Sequence, residues 1–252
     1  MGTMGWSYPD WRGSFYALGT PDTRLLSEYA KVFNAIELDT TFYAPPRETT
    51  LAQWDRQTPS GFKFSAKVPK RITHEGRLVG SVCVTEALDF GRLLQGGLGK
   101  KLGRLLLQLP PDFSPGESRN LLAFADALAE LSLPWTVELR ESGWQATEIA
   151  AQLAERGIAL ATTDRVAVPD APLTYLRLLG MENSVARFDA RTIPRDDDLD
   201  HWAQQLELAS GPVYVHVRNF YEGHAPGTLL ALRERLGLTT PLPPGQQQMR
   251  LF

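Results

Sequence analysis

Eight short apolar runs, each ending in polar or aromatic residues, recur at even intervals along the 252 residues. They are Gly2–Trp6, Ala35–Thr40, Lys63–Pro69, Arg104–Pro110, Trp135–Arg140, Ile158–Asp164, Leu173–Gly180 and Pro212–Asn219. Between most of them, apolar residues repeat at three and four, the period of a helix buried on one face. Residues 118–131 show this best: Leu121, Leu122, Ala125, Leu128 and Ala129 share a face behind a Ser114-Pro115 start signal. Asp22–Phe33, Arg47–Gln57, Val84–Leu94, Ala146–Glu155, Leu199–Leu208 and Gly227–Leu236 complete the helical set. The alternation predicts an α/β fold: a single (β/α)8 TIM-type barrel over residues 1–240, with a short Pro/Gln-rich tail over 241–252.

Within the strands a period of two carries a second message, because alternate side chains of a barrel strand point inward. Glu37, Asp39 and Thr41 share one face, as do Ser65 and Lys67, Thr136, Glu138 and Arg140, Thr162 and Asp164, Tyr175 and Arg177, and Tyr214, His216 and Arg218. The opposite faces are mostly apolar and suit the surrounding helices. The polar sets are therefore expected inside, where ions that do not pair cost several kcal/mol each. Those nearest the C-terminal ends of the strands, the face that carries the chemistry of such barrels, are expected to meet a ligand.

Composition narrows the partners. An apolar content of 43% is ample for a core, and the net charge of −3 offers no global attraction to nucleic acid, so any basic site is local. A single cysteine, Cys83, excludes an intramolecular disulfide and fits a reducing cytosol. No stretch has the roughly 20 apolar residues of a membrane span. Met1 falls almost inside the first run, which leaves that strand very short or the start upstream.

Lys67, Arg140, Arg177 and Arg218 stand at four strand ends and suit a phosphate or carboxylate, since guanidinium forks bind such groups bidentately. The competing reading is a closed ion-pair network with Glu37, Glu138 and Asp164 that only holds the mouth together. Glu37, Glu138 and Asp164 are candidates for base or metal ligand, and His74 for proton donor. No resident metal is expected from four histidines, although a single divalent cation on the carboxylates stays open. Gln108 and Asn219 are candidate polar contacts; Tyr8, Tyr43 and Trp144 are candidate walls for a base or sugar ring.

The segments MGWSYPDWRGSFY (4–16), AIELDTTFYAPP (35–46), FKFSAKVPKRITHE (62–75), LGRLLLQLPPDF (102–113), VELRESGW (137–144), YLRLLG (175–180) and VYVHVRNFYEGHAPG (213–227) together resemble the YecE-like family, whose function is unknown. The resemblance covers essentially the whole chain and implies the same TIM-type barrel. It also implies a retained set of Glu37, Thr41, Tyr43, Lys67, His74, Gln108, Glu138, Arg140, Trp144, Asp164, Arg177 and Asn219. The chain departs from the family pattern at Glu141 and Leu179, where a histidine is usual, and at Val217-Arg218-Asn219, where the family carries two asparagines.

The tail ends Gln248-Met249-Arg250-Leu251-Phe252 behind a Pro-rich segment. This resembles the short peptide by which bacterial repair proteins bind the sliding clamp, with Met249, Leu251 and Phe252 as apolar anchors on a flexible tether. The leading expectation is an enzyme or processing factor for a phosphate-bearing substrate, a nucleic acid or nucleotide derivative, with DNA repair as the setting if the tail binds the clamp. A metal-independent hydrolase or lyase for a carboxylated or sugar-like molecule, and a noncatalytic binding barrel, are the alternatives.

Overall fold

The computed structural model describes residues 1–146, 148–166 and 171–249. Leu251 and Phe252 lie outside the described residues, as do the side chains of Gln248 and Met249. All eight apolar runs form parallel strands: β1 (Gly2–Met4), β2 (Ala35–Leu38), β3 (Lys63–Lys67), β4 (Leu102–Gln108), β5 (Trp135–Glu138), a sixth strand split into β6 (Ala159–Leu160) and β7 (Thr162–Thr163), β8 (Tyr175–Leu178) and β9 (Tyr214–Val217). The ladder runs β6-β5-β4-β3-β2-β1-β9-β8-β7, so the barrel closes through strand six itself. Its first half pairs with β5 and its second half with β8.

Around the barrel lie α1 (Leu25–Tyr29), α2 (Glu48–Gln57), α3 (Gly80–Leu98), α4 (Ser118–Leu128), α5 (Ile149–Ala154), α6 (Asp196–Glu207) and α7 (Ala225–Arg235). A capping box between Ser114 and Glu117 opens the turn that leads into α4. The first helix is shorter than its apolar spacing predicts: Asp22–Arg24 is a 3-10 turn and the chain leaves the helix after Tyr29. The third is longer at both ends, and near its end Gly97 lets α3 pass tightly against Leu51, where an added Cβ would sit 2.5 Å from Leu51 Cδ1.

Register fixes which side chains look inward. Met4 pairs with Glu37, Glu37 with Ser65, Gln108 with Glu138, Thr163 with Arg177 and Arg177 with His216. Five of the six polar faces read from the sequence therefore point into the barrel. The outward residues, among them Ile36, Leu38, Phe64, Val137, Leu176 and Val215, join the core beneath the helices. Strand six is the correction. Ala161 packs inside with Leu106 and Tyr175, and Thr163 shares their phase, so Thr162 and Asp164 belong to the outer phase. The split between β6 and β7 has no sequence signal of its own.

Gly180, at φ +62°, turns the chain out of β8 where an added Cβ would lie 2.1 Å from Phe220 O. The loop that follows is pinned by Glu222, which is fully buried. Its carboxylate accepts hydrogen bonds from Arg191 Nε (2.9 Å), Arg191 Nη2 (2.7 Å) and the amide of Arg195 (2.7 Å). The tail does not start as a free tether. A short helix, α8 (Pro244–Met249), docks on the barrel, with Pro243 buried and the amide of Gly245 donating to Phe15 O at 2.8 Å. Among the described residues no helix is long and apolar enough to cross a membrane.

His224 caps α7, its Nδ1 accepting the amide of Gly227 at 3.2 Å, and burial draws its pKa from 6.5 down to about 4. Between those values the unfolded chain takes up a proton that the folded chain refuses, so stability falls as the pH drops through this window, by roughly 3 kcal/mol in full. His224→Asn keeps a capping acceptor without that titration. Thermal denaturation at neutral pH and near pH 4.5 is expected to show the wild type losing about 5 °C more than the variant; equal losses would assign the acid sensitivity elsewhere.

Candidate functional site

The floor of the barrel mouth is an ion triad. Arg177, 1% exposed, donates through Nε (3.0 Å) and Nη2 (2.7 Å) to the two carboxylate oxygens of Glu37, and through Nη1 to Glu138 Oε2. Tyr175 Oη completes the coordination of Glu37 at 2.7 Å, and Gln108 Nε2 donates to Glu138 Oε1 at 2.8 Å. Burial opposes the charge on Arg177, but Glu138 and Glu37 more than offset it and hold its pKa well above the usual value. Burial also opposes the charge on Glu138, yet Arg177 and Gln108 win and hold it below the ordinary carboxylate range. Two carboxylates around one guanidinium leave a negative charge in the floor.

Above it opens a cavity of about 260 Å³, bordered by Lys67, Arg140, Arg165 and Arg218 and by Asp39, Phe42, Tyr43 and Glu182. The cations differ in what they already hold. Arg218 donates to Glu182 at 2.8 Å and lies over Phe220; Arg165 donates through Nε to Gly180 O at 2.9 Å. Lys67 Nζ is 3.5 Å from Asp39 Oδ1 and 4.6 Å above the ring of Phe42, and Arg140 Nε is 3.9 Å from Glu138 Oε1. Both gaps exceed hydrogen-bond length. Lys67 and Arg140 thus face the cavity held by loose ion pairs, not by hydrogen-bonded ones.

Asp39 is the counterpart. Its Oδ1 is buried without a hydrogen-bond partner, and burial pushes its pKa up against the pull of Lys67. Glu182, on the loop after β8, is held below the usual range by its bond to Arg218, with Arg165 and Arg140 adding to the effect. The sequence pattern placed Asp39 on the inner face among the carboxylates open to a divalent cation, and it missed Arg165 and Glu182. Their only signals are position: Asp39 follows Glu37 by two, Arg165 directly follows strand six, and Glu182 follows the Gly180 turn by two.

Several expected site residues do other work. Glu37 is saturated by Tyr175 and Arg177, and Arg177 is committed to both glutamates, so neither is free as a base or a phosphate ligand. Asp164 accepts the amides of Leu179 (2.7 Å) and Gly180 (2.9 Å) and ties down the exit of β8, as its outer phase requires. Asn219 is buried, accepting from Trp11 Nε1 at 3.2 Å and the amide of Ala225 at 3.0 Å. Trp144 is fully buried, stacked on Phe113 and donating to Phe113 O at 2.8 Å, not a cavity wall.

Tyr8 donates to Met4 O at 2.7 Å and packs between Trp11 and Phe188, outside the cavity lining. His74 sits in the turn after β3, 2.9 Å from Thr73 Oγ1 and edge-on to Phe42. Burial, then Arg140 and Lys67, lower its pKa, so at neutral pH it lacks the proton that an imidazolium donor needs. Lys67, Arg140, Arg218, Gln108 and Tyr43 do border the cavity. Among the described residues no three His, Cys, Asp or Glu side chains converge as a metal site.

Comparison with known proteins agrees with this architecture. The UPF0759 protein YecE of Escherichia coli K12 is 32% identical over 180 residues, which cover 70% of this chain and 61% of that protein. Among solved structures, the DUF72 family protein TM1631 of Thermotoga maritima superposes with a TM-score of 0.74 at 24% identity, covering 94% of this chain and 98% of that one. A DUF72 family protein of Enterococcus faecalis, EF0366, gives 0.74 at 21% identity, covering 95% and 96%. The family described as "Protein of unknown function DUF72" matches residues 1–249. A closed parallel barrel, solved relatives of the same fold and a match over nearly the full length agree: the chain belongs to the DUF72 family, the YecE-like group that its strand-end segments resemble.

Proposed function

We propose that the barrel mouth binds the phosphate of a phosphate-bearing substrate, with Lys67 and Arg140 as its ligands and a carboxylic acid, Asp39, beside them. The observation that carries this reading is that these two cations border the cavity in loose ion pairs only, 3.5 Å from Asp39 and 3.9 Å from Glu138, whereas Arg177 is bonded to two carboxylates, Arg218 to one, and Arg165 to the Gly180 carbonyl. Arg140 supplies a planar fork and Lys67 a point charge, a combination suited to a phosphoryl group. A cavity of about 260 Å³ lies just below the roughly 300–1,000 Å³ of drug-sized ligand sites, so it takes one phosphorylated unit, not a duplex. A nucleic acid would have to present a single nucleotide turned out of its strand.

For chemistry, the environments push two carboxylates apart. Glu138, with both oxygens bonded by Gln108 and Arg177, is held ionised as part of the floor; Asp39, raised by burial, retains a proton more readily and serves as acid. Asp39 thus takes the role expected of His74. The carboxylated small-molecule reading draws on the same cations, so the ligand must discriminate.

Lys67→Ala and Arg140→Ala are each expected to weaken binding of a nucleoside monophosphate at least tenfold, and the double variant to abolish it, with Tm changed by no more than about 3 °C. Isothermal titration beside thermal denaturation measures both, and undiminished binding by the double variant would end the reading. Arg140 and Lys67 variants that bind phosphate normally but lose malonate would favour the carboxylate alternative.

Asp39 makes a second expectation with a definite sign. Its folded pKa is raised, so on acidification it neutralises early and stops repelling an anion beside Lys67. Affinity for sulfate, whose own charge is constant from neutral to mildly acidic pH, is expected to rise as the pH falls. Asp39→Asn should bind sulfate more tightly at neutral pH and show a flatter pH profile, with His74 responsible for any remaining slope. A variant profile parallel to the wild type would remove Asp39 from the site.

A further inference from the structure

Tyr43 is 75% exposed, yet it borders the same cavity as Lys67 and Arg140. The other aromatic residues of the loops above the strands are largely engaged. Trp11, Phe15, Tyr16, Trp144 and Tyr221 are buried, and Phe220 and Phe188 cover each other edge-to-face at 5.2 Å. Phe42, next to Tyr43 in the chain, is used on several sides: Lys67 Nζ lies over its ring at 4.6 Å and His74 meets it at 82°. Tyr43 touches Phe42 at 5.4 Å with an interplanar angle of 82°. A perpendicular contact of this kind leaves a flat tyrosine face open at the cavity rim, on the wall that carries Lys67. An aromatic face left in water forgoes the burial that its buried neighbours gain, and a planar ring laid over it recovers that term.

Resting on the phosphate reading above, we propose that the ligand is a nucleoside phosphate whose base stacks on Tyr43 while its phosphate meets Lys67 and Arg140. Stacking on an aromatic face is tolerant of base identity, because every base has a π face. The shared chemistry, one base, one sugar and one phosphate, fits a free nucleotide and an extruded nucleotide of a single strand alike. The cavity's polar floor and the exposed face of Tyr43 favour one such unit over an extended apolar ligand.

The test is a titration of AMP, ribose 5-phosphate and a short oligo(dA) into the wild type, Tyr43→Ala and Tyr43→Trp. Tyr43 is exposed, so unchanged melting of both variants is expected and certifies their fold. AMP should bind the wild type at least tenfold more tightly than ribose 5-phosphate. Tyr43→Ala should bring the two ligands within twofold of each other without weakening ribose 5-phosphate, and Tyr43→Trp should keep the preference. Equal affinity of AMP and ribose 5-phosphate for the wild type, or equal loss of both in Tyr43→Ala, overturns the stacking proposal and leaves the phosphate reading standing. Failure of both ligands to bind overturns the two together. Oligo(dA) binding more tightly than AMP, and only when residue 43 is aromatic, assigns the source to a strand; weaker binding with the same dependence assigns it to the free nucleotide.

Discussion

A guanidinium enclosed between two carboxylates fixes the geometry of the whole mouth. Arg177 cannot be left unpaired at 1% exposure, and removing either partner of such a buried pair typically costs about 3–5 kcal/mol. Its two glutamates come from β2 and β5, on opposite arcs of the ladder, so the triad spans the barrel and sets its width at the top. It also creates a debt of charge. One positive group against two negative ones leaves the floor anionic, and Lys67 and Arg140 stand directly above as compensation. Lys67 meets Asp39 at 3.5 Å and Arg140 meets Glu138 at 3.9 Å, ion pairs looser than those of Arg177.

This separates two roles that look identical in a sequence. Lys67, Arg140, Arg177 and Arg218 are all cations at strand ends, and period-two alternation places them on the same inner face. Depth decides between them. Arg177 reaches across to Glu37 and Glu138 and is consumed; Arg140, two residues past Glu138, stops 3.9 Å from it. The closed-network reading thus describes the floor, and the anion-pocket reading remains the proposal for the loosely paired cations above it.

The barrel was legible because its strands are apolar on one side and polar on the other, and because eight such runs are hard to arrange otherwise. Strand six was misread by one residue because Thr162, Thr163 and Asp164 are all polar, so alternation gives no phase; only the pairing of Thr163 with Arg177 does. Asp164 was lost with it. Asn219 and Trp144 were misassigned for a different reason. Each follows a strand end, but each finds a partner distant in sequence or in a loop, Asn219 to Trp11 and Trp144 to Phe113, which local patterning does not encode. Glu182 depends on a loop hung between Gly180 and Glu222, and its place over Arg218 exists only once that loop is anchored.

The split sixth strand has a mechanical meaning. Every closed barrel needs one place where its circumference is completed, and here that place is a strand offering two residue pairs to each neighbour. With so few rungs, as few as join β1 to β9, this sector carries less backbone pairing than the run from β2 to β5, and it leads straight into Arg165, with Arg140 on the neighbouring strand. The mouth is therefore held by buried charge at Arg177 and by only a few backbone pairs beside Arg140.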